Sequence, residues 1–233
     1  MANVPYENVD IPPSLRSRHG LLPFVELNGK EYCDSSLIIS TLTKELDVDW
    51  LDAHLGPVEK SSARAFQQMV DGSTTSSYAY ARYVEHYDEI FSERFYGKKQ
   101  PLLVRIFHPN WWMVHKIKSS LCAQGIGRHD RDDIMQIGLD DLKAISTFLA
   151  DKSFFMGDKP SGVDASVFGI LAQIYYVPLA VPHRDLLLGE CRNIQKYCEK
   201  IRELYWPDWE EACRTKSMHT YRNYNKENKQ SHD

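Results

Sequence analysis

The sequence lacks the features that mark a secreted, a membrane-spanning or a nucleic-acid-binding protein. Among its 233 residues, no apolar run approaches the ~20 residues that a helix needs to cross a bilayer. Residues 1–5 have neither the basic nor the apolar region of a secretory leader. The net charge is −4, and no basic helix with interleaved aromatic residues gives a reason to expect nucleic acid as a partner. We therefore expect a cytoplasmic protein with no integral membrane segment.

Cysteine is also scarce, and its spacing does not suggest a disulfide framework. The five cysteines are odd in number and include no Cys-x-x-Cys pair. Cys191 and Cys198 lie two turns apart on one predicted helix, which is too far for a disulfide bond. Reduced, mostly buried thiols are therefore expected. For Cys33 we prefer burial in the strand to the alternative of a reactive thiol beside a helix N-terminus. No His-x-x-x-His or other clustered ligand spacing occurs, so we expect no metal.

The most informative segment that is present covers residues 22–29, which read LPFVELNG. An apolar strand that opens on Pro23 closes on an Asn-Gly pair, a strong hairpin signal because both residues accept a positive φ. The return strand, residues 30–33, leads to Asp34 and Ser35, whose short polar side chains can cap a following helix. The free N–H groups and the positive end of such a helix suit a carboxylate or a phosphate.

Helical spacing of apolar residues dominates the rest of the chain. The pattern predicts helices over residues 58–87, 101–124, 130–150, 161–176 and 190–205. Pro178 and Pro182 are expected to break the run between the last two helices. A further strand is predicted over residues 6–11.

The chain is therefore expected to have three parts. Residues 1–47 form a small, partial α/β unit, and residues 57–210 form a helical domain. Residues 214–233 form a polar tail that has little to bury and is expected to be disordered.

A Ser-x-x-Asp capping box marks the start of the fourth predicted helix. The Ser161 hydroxyl is expected to satisfy an N–H group one turn into the helix, and the Asp164 carboxylate to reach back to the first residue. A Gly-Asp-x-Pro sequence precedes the box, and an apolar helix follows it.

These motifs resemble parts of both domains of the glutathione transferases. A strand that opens on proline, a turn, a second strand and an acidic-Ser pair at the head of a helix resemble the second half of that family's thioredoxin-like domain. The resemblance implies a cis proline at Pro23 and a backbone contact from Leu22 to the cysteinyl part of glutathione. It also implies a site for the γ-glutamyl end at Asp34 and Ser35, and glutathione is the cofactor that it implies. The capping box resembles the start of the family's buried central helix, where its role is structural.

More narrowly, the chain is similar to the failed axon connections family, relatives of the metaxins within the transferase superfamily. The resemblance rests on residues 5–9, 22–29, 123–129 and 205–209, together with the capping box. It implies a mainly α (α+β) fold, in which an incomplete thioredoxin-like unit precedes an all-helical domain of the transferase type. It also implies a role in neuronal development or in cellular stress.

The resemblance leaves the catalytic position of the transferases unmatched. In the family pattern, a first strand and the start of a first helix precede the segment that resembles residues 1–5, and the catalytic Tyr, Ser or Cys lies at their junction. Tyr6 is the nearest hydroxyl, but it falls in the second strand by the resemblance. A thiol is not ionised near neutral pH without a donor or a positive charge aimed at its sulfur. We therefore expect an N-terminally truncated, non-catalytic protein that acts through protein contacts or weak glutathione binding.

Two other functions remain alternatives at this point. One is an active glutathione transferase that conjugates electrophiles, and the other is a metaxin-like component of an organelle membrane. The protein partner is unspecified, and a homodimer is compatible with the resemblance. Tyr80, Tyr83 and Tyr87 share a helix face. In transferases the corresponding helix lines the electrophile pocket, but packing of these rings in the core is the interpretation that we prefer.

Overall fold

The structure is a computed structural model that describes Ser17, Gly20 and residues 23–46, 51–90 and 110–215. The chain forms two compact units, residues 1–54 with 208–233 and residues 55–207. The predicted strand over residues 6–11 and nearly all of the predicted tail, residues 216–233, lie outside the described residues.

The first unit contains the predicted hairpin and the helix that follows it. Strand β1 (Phe24–Leu27) pairs antiparallel with strand β2 (Lys30–Cys33), and helix α1 (Ser35–Glu45) comes next. The turn residues Asn28 and Gly29 both have a positive φ, 52° and 75°. The hairpin prediction from the Asn-Gly pair is therefore confirmed.

The second unit is built from helices. In chain order they are α2 (Pro57–Met69), α3 (Thr75–Tyr80), α4 (Tyr87–Ile90), α5 (Asn110–Gln124), α6 (Arg131–Leu149), α7 (Gly162–Tyr176), α8 (Pro182–Gly189) and α9 (Arg192–Tyr205). A 3₁₀ turn (Ile126–Arg128) lies between α5 and α6. The helices predicted over residues 130–150 and 161–176 are confirmed by α6 and α7. Helix α5 confirms the part of the second predicted helix that is described, and its predicted start at residues 101–109 lies outside that part.

The first predicted helix of this unit is not one regular α-helix. Two π-helical turns, Val70–Thr74 and Ala81–Glu85, separate α2 from α3 and α3 from the residues before α4. The backbone passes from α2 through the first π turn and α3 into the second without a break, because the residues at these junctions keep helical φ and ψ angles. After the second π turn, His86 departs from helical angles, with φ −109° and ψ 25°. A π turn adds a residue to one helical turn, and the 3.6-residue apolar period does not reveal such an insertion.

The predicted break after α7 is present, because residues 177–181, which include Pro178, are not helical. Pro182 ends this break and begins helix α8, which the sequence did not predict. Proline is well suited to the first helical position because its missing N–H group has no partner there in any residue. Helix α9 starts at Arg192 rather than at residue 190, since the N–H groups of Glu190 and Cys191 both bond to the Leu186 carbonyl at the end of α8.

A further helix, α10 (Trp209–Thr215), follows α9 in the chain and belongs to the first unit. It includes residues 214 and 215, which the prediction assigned to the polar tail.

Helix α7 forms the centre of the helical unit. It contacts α2, α8 and α9. Its buried side chains are Val163, Asp164, Val167, Phe168, Ile170, Leu171 and Ile174. Because all but one of these are apolar and lie on more than one face, α7 has the pattern of a core helix and not of an amphipathic surface helix.

Candidate functional site

The predicted site residues lie at the open end of the hairpin. The register pairs Leu27 with Lys30 at the turn and Phe24 with Cys33 at the other end. Pro23 and Asp34 are the next residue on each strand, so the extended ladder would place them opposite each other. Leu22 lies outside the described residues, and its predicted backbone contact stays a prediction.

Asp34 has the position and the bonding of a helix cap. Its Oδ1 accepts a hydrogen bond from the Leu37 N–H at 3.3 Å, and its carbonyl accepts one from the Ile38 N–H at 2.8 Å. Its φ is 71°, in the left-handed region that Asp and Asn tolerate better than other side chains do. The sequence predicted capping by Asp34 or its serine neighbours, and the structure assigns the cap to Asp34.

The side chains at this end of the hairpin are exposed to solvent: Pro23, Asp34 and Ser35 are all exposed, and Ser35 is the first residue of α1. The first turn of a helix presents N–H groups that have no partner within the helix, and its positive end attracts an anion. The Asp34 carboxylate beside this turn adds a group that attracts a cation. The arrangement can therefore bind a zwitterion, with its carboxylate at the helix start and its ammonium group at Asp34.

Cys33, the thiol next to these residues, is half-buried in strand β2. Its Sγ donates a hydrogen bond to Glu31 Oε1 at 3.3 Å. A catalytic cysteine would either donate a hydrogen bond to a substrate thiolate or attack the substrate as a thiolate itself. In this structure the hydrogen bond of Cys33 goes to a carboxylate instead.

In the helical unit, the Asp164 carboxylate is fully buried and holds several segments together. Its Oδ2 accepts hydrogen bonds from the N–H and the hydroxyl of Ser161, both at 2.8 Å. Its Oδ1 accepts one from the Phe155 N–H at 2.7 Å and one from the Tyr197 hydroxyl on α9 at 2.9 Å. The predicted capping box is confirmed, and the long-range bond to Tyr197 adds to it. Burial first, and then the Asp164 charge, raise the pKa of Tyr197 well above its ordinary value.

The sequence did not reveal a buried serine and histidine that are hydrogen-bonded. Ser77 Oγ lies 2.9 Å from His183 Nε2 and donates to the Ile134 carbonyl at 2.6 Å, so the imidazole N–H is assigned to Nε2. Both side chains are fully buried, and burial lowers the pKa of His183 from 6.5 to about 4. Among the described residues, His183 Nδ1 has no hydrogen-bond partner. With no route to solvent, this pair serves the packing of α3, α6 and α8 rather than catalysis.

One residue could have pointed to this pair. Gly138 lies in the middle of α6, where glycine is unfavourable without a packing reason. A Cβ atom built on Gly138 would lie 2.4 Å from both His183 Nε2 and Ser77 Oγ. The glycine is therefore required by the close approach of the serine and the histidine.

Tyr80, Tyr83 and Tyr87, which were predicted to share one face of the first long helix, do not form a single face in the structure. Tyr87 is buried, whereas Tyr80 and Tyr83 are half-buried. Tyr80 lines a small cavity of about 160 Å³ with Cys122 and His129 among its neighbours. The π turn over residues 81–85 lies between Tyr80 and Tyr87, so the i, i+7 spacing no longer places them on one face.

The described residues contain no group of three or more His, Cys, Asp or Glu side chains that could hold a metal ion. Within the same ranges, no helix is both long enough and apolar enough to span a bilayer.

Two family models match the chain, one in each half. The model described as glutathione S-transferase N-terminal domain matches residues 1–90, and the model described as glutathione S-transferase, C-terminal domain matches residues 138–201. The first range contains Pro23, Asp34 and Ser35, and the second contains Asp164. The predicted fold, a thioredoxin-like N-terminal part followed by a helical transferase domain, is thereby confirmed.

Curated relatives give the same family. Failed axon connections of Drosophila melanogaster is 31% identical over 91% of this chain and 53% of its own length. A metaxin-1 homolog of Caenorhabditis briggsae is 26% identical over 82% of this chain and 61% of its own length. The isoprene-epoxide–glutathione S-transferase of a Rhodococcus strain is 28% identical over 81% of this chain and 79% of its own length.

The chain thus spans only about half to three-fifths of the length of the first two relatives. No solved structure matches it. The two family models and the curated relatives agree with the resemblance seen in the motifs. The chain therefore belongs to the glutathione-transferase-like family that includes Failed axon connections and the metaxins.

Proposed function

We propose that this protein is a non-catalytic, glutathione-transferase-like binding protein of the failed axon connections type. It binds the γ-glutamyl end of glutathione weakly at the hairpin end and acts in the cytoplasm through contacts with a protein partner. The observation that carries the proposal is the position of Asp34, a helix cap at the same end of the hairpin as Pro23.

The chemistry of the γ-glutamyl group matches this end of the hairpin. Its α-carboxylate fits the N–H groups of the first turn of α1 and the exposed Ser35 hydroxyl. Its α-ammonium fits the Asp34 carboxylate. Because Asp34 and Ser35 are exposed, solvent competes with each of these contacts, and weak binding is expected.

Two observations support a binding role rather than catalysis. The thiol of Cys33 is half-buried in β2 and donates its hydrogen bond to Glu31. On α1, the side chains of Leu37 and Ile39 are 64% and 47% exposed, which is apolar surface that a partner protein would cover.

The binding part of the proposal is tested by titrating glutathione into the isotopically labelled protein and following the amide resonances of α1. Asp34→Asn keeps a good capping residue that tolerates a positive φ but removes the charge, so we expect the Kd to rise about tenfold. Ser35→Ala should weaken binding as well. Ser40→Ala, an exposed serine further along the same helix, is the matched control and should leave the Kd unchanged.

The result decides between binding modes. Equal affinities for the wild type and Asp34→Asn would contradict γ-glutamyl recognition by this carboxylate. Saturable binding with shifts confined to other segments would show that glutathione uses a different site.

An active glutathione transferase is the alternative that the Rhodococcus relative favours, since its name records a conjugating activity and this chain covers 79% of its length. Conjugation of glutathione to chlorodinitrobenzene separates the two functions. Turnover above the uncatalysed rate by the wild type, lost in Asp34→Asn, would replace our proposal with the enzymatic one. Several metaxins are also among the relatives, so a metaxin-like role at an organelle membrane is a second alternative, which recovery of the protein in a carbonate-washed membrane pellet would favour.

A further inference from the structure

The helical unit contains a pocket that has no part in the proposed glutathione site. Its volume is about 510 Å³, within the usual range for small-molecule sites. Its lining residues all belong to residues 55–207 and are Gly72, Ser73, Ser76, Gln124, Gly125, Ile126, His129 and Ile137. They come from the first π turn, from α3, from the end of α5 and its following turn, and from α6.

The described lining carries no carboxylate, ammonium or guanidinium group. Its apolar surface includes Ile126 and Ile137. The Ser76 hydroxyl donates to Gln124 Oε1 at 3.1 Å, which leaves the Gln124 amide N–H groups as donors. A ligand with a formal charge would lose hydration in this pocket, and the His129 imidazole is the only ionisable side chain of the described lining that could offset the loss.

The wall of the pocket at the π turn is held in place by α6. The Ser73 and Thr74 hydroxyls both donate to Asp141 Oδ2, at 2.6 and 2.8 Å. These bonds fix the π turn. Gly72, which precedes Ser73 in this turn, lines the pocket. A Cβ atom on Gly72 would have no atom within 4 Å, so the glycine leaves space in the pocket and is not required by a neighbour. π turns within α-helices frequently occur at functional sites.

We propose that this pocket binds a small, uncharged, mainly apolar molecule. The apolar body packs against Ile126 and Ile137, and the space beside Gly72 admits it. The proposal does not depend on glutathione binding, because no lining residue belongs to the hairpin unit.

A matched pair of fluorescent probes tests whether the pocket prefers an uncharged ligand. Phenylnaphthylamine is uncharged, and anilinonaphthalene sulfonate has the same ring body with a sulfonate. We expect saturable binding of the uncharged probe and binding of the sulfonate that is weaker by about tenfold or more. Equal affinity for the two probes, or no saturable binding of phenylnaphthylamine, would overturn the proposal.

A pair of glycine substitutions tests the location. Gly72→Leu fills the pocket, and we expect it to weaken phenylnaphthylamine binding by about tenfold or more. Gly169→Leu is the matched control, because Gly169 is an exposed helical glycine with no atom within 4 Å of its Cβ position. Thermal unfolding of both variants shows that they fold. A folded Gly72→Leu variant with wild-type affinity would place the probe elsewhere and refute the assignment.

Discussion

Acidification should destabilise the helical unit through His183. The folded protein holds this imidazole neutral, because burial lowers its pKa from 6.5 to about 4. The unfolded chain takes up a proton as the pH falls below about 6.5, whereas the folded chain does so only near 4. The stability is therefore fully present above the unfolded pKa and is lost as the pH falls towards the folded one.

The size of the effect follows from the two pKa values. Linkage gives a loss of about 2 kcal/mol in the free energy of unfolding between about pH 7.5 and about pH 5. The structural cause is that protonated Nδ1 would be a buried donor, and among the described residues that atom has no hydrogen-bond partner.

The assay is urea unfolding at the two pH values, measured on the wild type, His183→Gln and His129→Gln. Carboxylates also titrate in this range, so the comparison between variants isolates the imidazole. We expect the pH-dependent loss to be about 2 kcal/mol smaller in His183→Gln, whose amide can still donate to Ser77. His129 is exposed, and its substitution should leave the loss as in the wild type.

The reasoning would be refuted by equal losses in the wild type and His183→Gln. If His183→Gln does not fold, the imidazole resonances of the wild type give the answer directly. A titration midpoint near 6.5 for His183 would show that burial does not hold it neutral.

Two further predictions concern single side chains in the helical unit. Ser161→Ala should lower the free energy of unfolding by about 0.5–2 kcal/mol, because the Asp164 carboxylate loses one donor and the α7 cap loses its hydroxyl. Urea unfolding measures the loss, and an unchanged free energy of unfolding would contradict the capping box. Gly138→Ala should lower it by about 1–3 kcal/mol, because the new methyl group meets the buried serine–histidine pair at 2.4 Å. Gly169→Ala in open space is its control and should be neutral or stabilising by up to ~1 kcal/mol, so equal effects at the two glycines would contradict the close approach at Gly138.

Features that depend on adjacent residues could be predicted from the sequence. The Asn28-Gly29 turn and the Asp34 cap each need only a few neighbouring residues, and both lie where they were predicted. The family was also predictable, because its motifs occur in order along nearly the whole chain.

Features that depend on distant residues could not be predicted. Ser77 and His183 are separated by 106 positions, and the sequence around either residue does not indicate that the other is its partner. The start of α8 was missed for a different reason: a proline can end one helix or begin the next, and only the bonds of the Arg184 and Asp185 N–H groups to the Val181 carbonyl show which applies. The pocket beside Gly72 needs four separate segments and has no signature in any one of them.

The π turn over Val70–Thr74 has a consequence for how the helical unit tolerates deletions. Helix α2 before it contacts α7, whereas α3 after it contacts α5 and α6. Removing one residue from the turn would rotate everything downstream by about 100°, since each helical residue advances the side chains by that angle. Ser77 would then turn away from His183, and Tyr78 from the Gln173 carbonyl that its hydroxyl now meets. A one-residue deletion here would therefore act at a distance of several turns, so the length of this segment constrains the protein as strictly as the identity of its residues.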